Sequence, residues 1–346
     1  MKQYLSDVVV MRLILIVLLV LYHAFAIYNS AWQMPNGVQS VETYWWIATI
    51  SYSFLLETFV FVSGYVFGFQ VRNAPVEKIT AKKYVIKKAK RLLIPSIVFS
   101  VVYFICFERK AYIGCSSCIY DVINGEGHMW FLPMLFWCFV ATFAFEKLRI
   151  PGKVVVLLAI LASILSLMTL PFRISTAAYY YIFFYIGYYI QRNGLILKDI
   201  KGNTVILSGL IFVVVFLVSK IFLNNVLIAS FESELSLYKI LSLLAERLSK
   251  ICYSSLGIVF IYFLINYLII SRKIAVTERM VKLSNYCFGI YIFQQFILKF
   301  IVYNNFAISC LGTYWLPWVS FIIAMVGSVL FTWLFQKSKI GRFLIG

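Results

Sequence analysis

The chain has 346 residues, 63% of them hydrophobic and 13% charged, with a mean hydropathy of +0.91. Soluble domains carry an apolar share of roughly 45–50%, so a water-solvated globule is excluded and lipid is the solvent this composition fits. The net charge of +18 does not read as a nucleic-acid surface, because the cations alternate between the segments that separate apolar windows and so form a topology signal.

Those windows lie near 8–28, 45–69, 91–107, 129–146, 154–171, 176–191, 204–223, 251–271, 285–303 and 315–335. Each is about 16–25 residues, roughly what a helix needs to cross a hydrocarbon core ~30 Å thick. The expectation is an all-α polytopic membrane protein of about ten transmembrane helices, one membrane-embedded domain over residues 1–346 with no separate soluble domain. With the N-terminus inside, Lys2, the cations from Arg72 to Arg91, Lys147 to Lys153, Arg192 to Lys201, Arg272 to Lys282, and Lys337 to Arg342 fall on the cytoplasmic side. Both termini are then cytoplasmic, and the basic face attracts anionic lipid headgroups. No internal repeat is visible, which disfavours an inverted-repeat carrier.

The first window holds "MRLILIVLLVLYHAF", residues 11–25. It is long, and "AFAIYNSAW" offers no small-x-small cleavage site, so it reads as an uncleaved first span. An ionisable side chain at membrane depth costs about 2.5–3.5 kcal/mol even on lenient scales, so Arg12 and His23 ask for a reason. Arg12, near the inner boundary, either snorkels to the headgroups or meets a partner. His23, roughly 22 Å from the inner end by helix rise, either hydrogen-bonds a neighbouring helix or does chemistry. From Arg12 to His23 the helix turns about 1100°, leaving both within about 20° of one face.

The second window carries Glu57 in "FLLETFVFVSGY", at about the depth of His23. A carboxylate beside a histidine orients the imidazole and stabilises its protonated form. Ser63 and Gly64 make a small patch, open to a ligand or simply to another helix. Ahead of the third window, "EKITAKKYVIKKAKRLLIP" serves as a positive-inside anchor, or its clustered cations, Lys90 and Arg91 among them, suit a phosphate-rich cofactor such as coenzyme A.

Residues 108–128 read as an irregular outer loop. In its "GCSSC", Cys115 and Cys118 suit a local disulfide if that side is oxidising, while a zinc site lacks ligands and no metal is expected. His128 and Trp130, in "GHMWFLPMLF", have the look of interfacial belt residues; sharing the outer half with His23 makes His128 a candidate. A second outer loop, 224–250, contains "SELSLYKILSLLAERLSK", whose leucines share one helical face and predict a helix lying along the outer interface.

Six pieces occur in register: R-x10-H from Arg12 to His23, "FVFVSGY", "KRLLIP", "MWFLPMLF", "YIFFYIGYYI" and "LSNYCFGIYIFQ". In this order the chain resembles the integral-membrane acyltransferase-3 family, ten-helix O-acyltransferases of which many O-acetylate bacterial surface polysaccharides. The resemblance implies that His23 is the catalytic histidine, that Arg12 helps hold the acyl donor or the site, and that Glu57 takes an acidic catalytic position. It further suggests that His128 and Trp130 border the site; Ser63 and Tyr291 are also expected at its border, and the clustered cations Lys90 and Arg91 are grouped with Arg12 in donor binding or structural pairing. The family often has a histidine where this chain has Gln294. No hydrolase-like domain follows the last window, so handover to such a domain within the chain is not expected.

The function this implies is O-acyl transfer in the bacterial cytoplasmic membrane. Acetyl-CoA is the donor substrate, no cofactor is bound, and the acceptor is a glycan or lipid-linked glycan, with His23 as general base or acyl relay. A polysaccharide flippase or other transporter also carries buried Arg, His and Glu, and so does a membrane scaffold that uses them to pair helices. The acceptor sugar and the oligomeric state stay open at this level.

Overall fold

The computed structural model describes residues 5–74, 79–108, 118–166, 170–195, 200–232, 236–272 and 274–345, and their regular structure is all helical, with no strand among them. In chain order the helices are α1 (Ser6–Phe25), α2 (Glu42–Tyr52), α3 (Leu55–Asn73), α4 (Ala81–Tyr103), α5 (Cys118–Asn124), α6 (Phe131–Lys147), α7 (Gly152–Leu165), α8 (Ile174–Arg192), α9 (Gly202–Glu232), α10 (Ser236–Asn266), α11 (Glu278–Val302), α12 (Asn305–Lys337) and α13 (Lys339–Ile345). Among the described residues, 8 helices are long and apolar enough to cross a membrane, and the chain is an all-α polytopic membrane protein.

Several apolar windows take a different form from a single straight span. The second divides at Ser53 and Phe54 into α2 and α3. α7, with 14 residues, is only about 21 Å long and falls short of the hydrocarbon thickness. α8 has 19 residues but is rich in tyrosine, and it is not among the helices apolar enough to count as spans. The interfacial helix predicted over 233–250 is not a separate element in its described residues, which from Ser236 onward are the first turns of the 31-residue α10. Its leucine periodicity is the same whether a helix lies on a membrane or continues into one, so only packing decides between them. Cys115 lies outside the described residues, and so does its pairing with Cys118.

Burial sorts the helices by role. α1 buries Met11, Leu15, Ile16, Leu19, Val20 and Phe25 around most of its circumference, as expected for a helix in the middle of a bundle. It packs on α2, α3, α11 and α12, so His23 is directed into protein rather than lipid. α9 and α12 instead expose Val214, Val218, Ile221, Ile322 and Val326, the surface lipid solvates. α3 and α8 run against each other at backbone contact, because Gly64, Gly68 and Gly187 leave no side chain between them. The small patch seen in the sequence is therefore a helix-packing surface, the pattern of membrane helix pairs.

Candidate active site

His23 sits in the last turn of α1 and is 8% exposed. Its Nδ1 lies 3.1 Å from the Oε1 of Gln294 on α11. The Gln294 amide nitrogen turns the other way, toward the Tyr291 carbonyl at 3.5 Å, which leaves Oε1 as the atom facing the ring. An acceptor at Nδ1 requires the proton there, so Nε2 carries the lone pair. Nε2 has no hydrogen-bond partner among the described residues, and it is not one of the fully buried unpartnered atoms. The imidazole is thus held at one nitrogen and open at the other, the form a general base requires.

Rings fix its plane. Trp32 stacks on it with centroids 5.7 Å apart and planes 10° from parallel, and Tyr22 lies at 5.0 Å. Trp32 comes into place because α1 ends in a turn: Ala26 donates to the His23 carbonyl (3.3 Å) and Trp32 to the Ala26 carbonyl (3.1 Å). Ser30 takes φ 63° in that turn, a left-handed conformation unfavourable for a side chain with Cβ.

The other histidine is used differently. His128, at the entrance to α6, faces Gln295 Oε1 with Nδ1 and the Ile292 carbonyl with Nε2 at 2.9 Å. Its backbone N–H donates to the same Gln295 oxygen at 3.1 Å, and its carbonyl accepts from Tyr291 Oη. Both ring nitrogens are taken, so His128 ties α6 to α11. The chain's 2 histidines are therefore held by adjacent glutamines of one helix, and of the two it is His23 that keeps a ring nitrogen without a partner among the described residues. His128 remains an electrostatic neighbour of His23; Trp130 packs against Tyr180 at 6.1 Å.

Glu57 is not the partner of His23. Its Oε1 accepts from Tyr179 Oη at 3.3 Å and lies 3.9 Å from Lys250 Nζ, while Oε2 is buried without a partner. Arg247 covers the same tyrosine ring at 4.5 Å. The link to His23 runs through rings: Tyr52, an electrostatic neighbour of Glu57, stacks on Tyr22 at 4.2 Å, and Tyr22 abuts the imidazole. Ser63 spends its hydroxyl on the Phe59 carbonyl of its own helix at 2.9 Å.

On the basic side, Arg12 is half-buried, with Arg91 and Cys287 as its electrostatic neighbours; no carboxylate pairs with it among the described residues. Lys90, with Lys82, Lys83 and Lys87, lines a separate cavity of about 600 Å³. The candidate donor residues thus divide between the surroundings of Arg12 and a lysine-lined cavity. Among the described residues no group of three His, Cys, Asp or Glu side chains is placed to hold a metal.

A family model described as an acyltransferase domain matches residues 6–337, nearly the whole chain. The chain belongs to the acyltransferase-3 family. No curated protein and no solved structure matches it. As an acyltransferase-3 protein it is a multi-pass membrane acyltransferase. Where the resemblance leads one to expect a histidine, this acyltransferase has Gln294, and the structure gives that glutamine the task of holding His23. Trp32, Lys250 and Tyr179 had no motif to announce them.

Gln294→Leu removes the acceptor at Nδ1 and frees the imidazole to flip or change tautomer. A buried hydrogen bond contributes about 0.5–1.5 kcal/mol, so acyl transfer is expected to fall about tenfold in kcat with the donor KM little changed. Initial rates over a donor series check this, and a rise in KM at constant kcat would contradict it.

Proposed function

We propose that this acyltransferase transfers an acetyl group from cytosolic acetyl-CoA to a hydroxyl of a surface polysaccharide, or of its lipid-linked precursor, at the cytoplasmic membrane of a bacterium. The observation that carries the reading is His23, with Nδ1 held by Gln294 and Nε2 without a hydrogen-bond partner among the described residues. Nε2 takes the proton of the acceptor hydroxyl as its oxygen attacks the thioester carbonyl. The carbonyl–sulfur bond breaks, and the proton passes to the departing CoA thiolate. General-base help of this kind is typically worth about 10²–10⁴-fold.

The basic end supports a nucleotide-phosphate donor. Arg91 adds positive charge in the neighbourhood of Arg12, no carboxylate pairs with Arg12 among the described residues, and phosphates are the ligands such cations attract. The helix rise from Arg12 to His23 is about 16 Å, so phosphates held at the arginines and a thioester at the histidine suit one elongated donor. The lysines around the 600 Å³ cavity would add attraction at the entrance. Acetyl-CoA is a substrate here, and no resident cofactor is invoked. Glu57 serves this reading by anchoring α3 to α8 and α10 behind the rings that support His23.

The test is acetyl content against glycan location in cells with and without the chain. Acyl transfer predicts that loss of the chain removes acetyl groups while the glycan still reaches the surface. A polysaccharide flippase predicts the opposite, a glycan retained inside with its acetyl content unchanged, and that result would overturn the proposal.

A further inference from the structure

Trp32, which stacks on His23, also lines a cavity of about 890 Å³ that the reaction described so far does not use. Its walls come from the connection between α1 and α2, from a π-helical turn, Phe104–Glu108, that ends α4, and from the end of α11. π-helical turns inside helical proteins concentrate at functional sites because they redirect side chains out of the helical register. Trp32, Phe107 and Tyr303 present rings to the cavity, and Gln33 and Lys299 present polar groups. Lys299 Nζ stands 5.9 Å from the Trp32 ring centroid, 5.5 Å from Phe107 and 4.9 Å from Tyr103, with Glu108 Oε1 at 3.5 Å.

This lining selects a chemistry. A lipid tail would leave Lys299, Gln33 and Asn304 unmatched, and a phosphate would compete with Glu108, which stands behind the wall and already pairs with Lys299. A sugar ring answers both parts, its C–H face against an indole or phenyl ring and its hydroxyls toward the Lys299 ammonium and the Gln33 and Asn304 amides. Trp32 is common to the cavity wall and to the surroundings of His23. The strained Ser30 that holds the turn costs of order 1–3 kcal/mol, a cost native structures carry mostly where function requires the geometry.

Resting on acyl transfer by His23, we propose that this cavity is the acceptor subsite. It takes one sugar ring of the acceptor against Trp32, and Trp32 screens His23 from water until the acceptor hydroxyl arrives. Without the indole, water takes the place of the hydroxyl: its oxygen attacks the thioester, acetate forms, and CoA leaves as the thiol.

The experiment measures two products from labelled acetyl-CoA, acetyl in the membrane's own glycan and free acetate. It uses membranes carrying the native chain, Trp32→Ala, Trp32→Phe or Cys106→Trp, with His23→Ala as background. Trp32→Ala is expected to lower glycan label at least about tenfold while raising His23-dependent acetate several-fold. Trp32→Phe keeps a flat ring and retains most of the transfer. Cys106→Trp fills the cavity from an exposed thiol in its wall and raises the acetate-to-glycan ratio. Acetate and glycan label falling together in Trp32→Ala, or an unchanged ratio in both Trp32→Ala and Cys106→Trp, would overturn the proposal. If the native chain yields no more of either product than His23→Ala, acyl transfer by His23 itself fails, and the subsite falls with it.

Discussion

Replacing Gly64 with valine is expected to remove the assembled protein from the membrane. A Cβ at Gly64 would lie 1.9 Å from the Phe184 carbonyl oxygen, and one at Gly187 would lie 2.2 Å from that of Phe61. Gly68 repeats the arrangement against the Tyr188 oxygen at 2.4 Å. The obstructing atoms are backbone on both sides, so no rotamer change relieves the clash, and the helices must separate along their common length. Overpacking of a core that can adjust costs about 1–3 kcal/mol; a rigid backbone contact costs more, against a total stability of about 5–15 kcal/mol. α3 carries Glu57 and α8 carries Tyr179, so their separation also strands a buried carboxylate. Membrane abundance and a monodisperse peak after detergent extraction check the prediction. Ser63→Ala, one residue away, is expected to keep both, since that hydroxyl bonds only its own helix. A monodisperse Gly64→Val protein at native abundance would refute the close packing of α3 and α8.

His23→Ala is expected to lower acyl transfer by about 10²–10⁴-fold, the range a general base supplies, with the fold retained. The substitution removes one hydrogen bond, worth about 0.5–1.5 kcal/mol, and ring contacts with Trp32 and Tyr22. It breaks no tie between helices beyond that to Gln294. His128→Ala is the opposing case: it removes both ring contacts to α11, so thermal stability is expected to fall along with activity. The initial rate of CoA thiol release by the reconstituted protein, read beside its melting temperature, separates the two. Equal rates for native and His23→Ala protein of equal stability would remove His23 from the chemistry.

The features legible in the sequence are those set by local pattern. Apolar windows predicted the helices because hydrophobic length is a property of consecutive residues, and the 100° turn per residue placed Arg12 and His23 on one face. The window read as a span over 154–171 holds the 14-residue α7 among its described residues, because apolar composition does not mark where a helix stops. The segment 233–250 was read as an interfacial helix, and its described residues begin the long α10, because amphipathic spacing does not distinguish a separate helix from the end of a longer one; that its Lys250 neighbours Glu57 was not foreseen. The carboxylate assigned to His23 gave way to Gln294, separated from it by 271 positions along the chain, a pairing that only tertiary packing creates. Trp32 was invisible for a related reason: its position over His23 depends on one left-handed serine, and serine carries no sequence signal for that conformation.

The central claim is that an acetyl group passes from acetyl-CoA to a glycan hydroxyl at His23. The most direct measurement is label incorporated into surface glycan from acetyl-labelled acetyl-CoA, in membranes carrying native or His23→Ala chain at equal protein. The account predicts label with the native chain and its loss with His23→Ala. Equal label in both, or none in either with authentic glycan present, would contradict it.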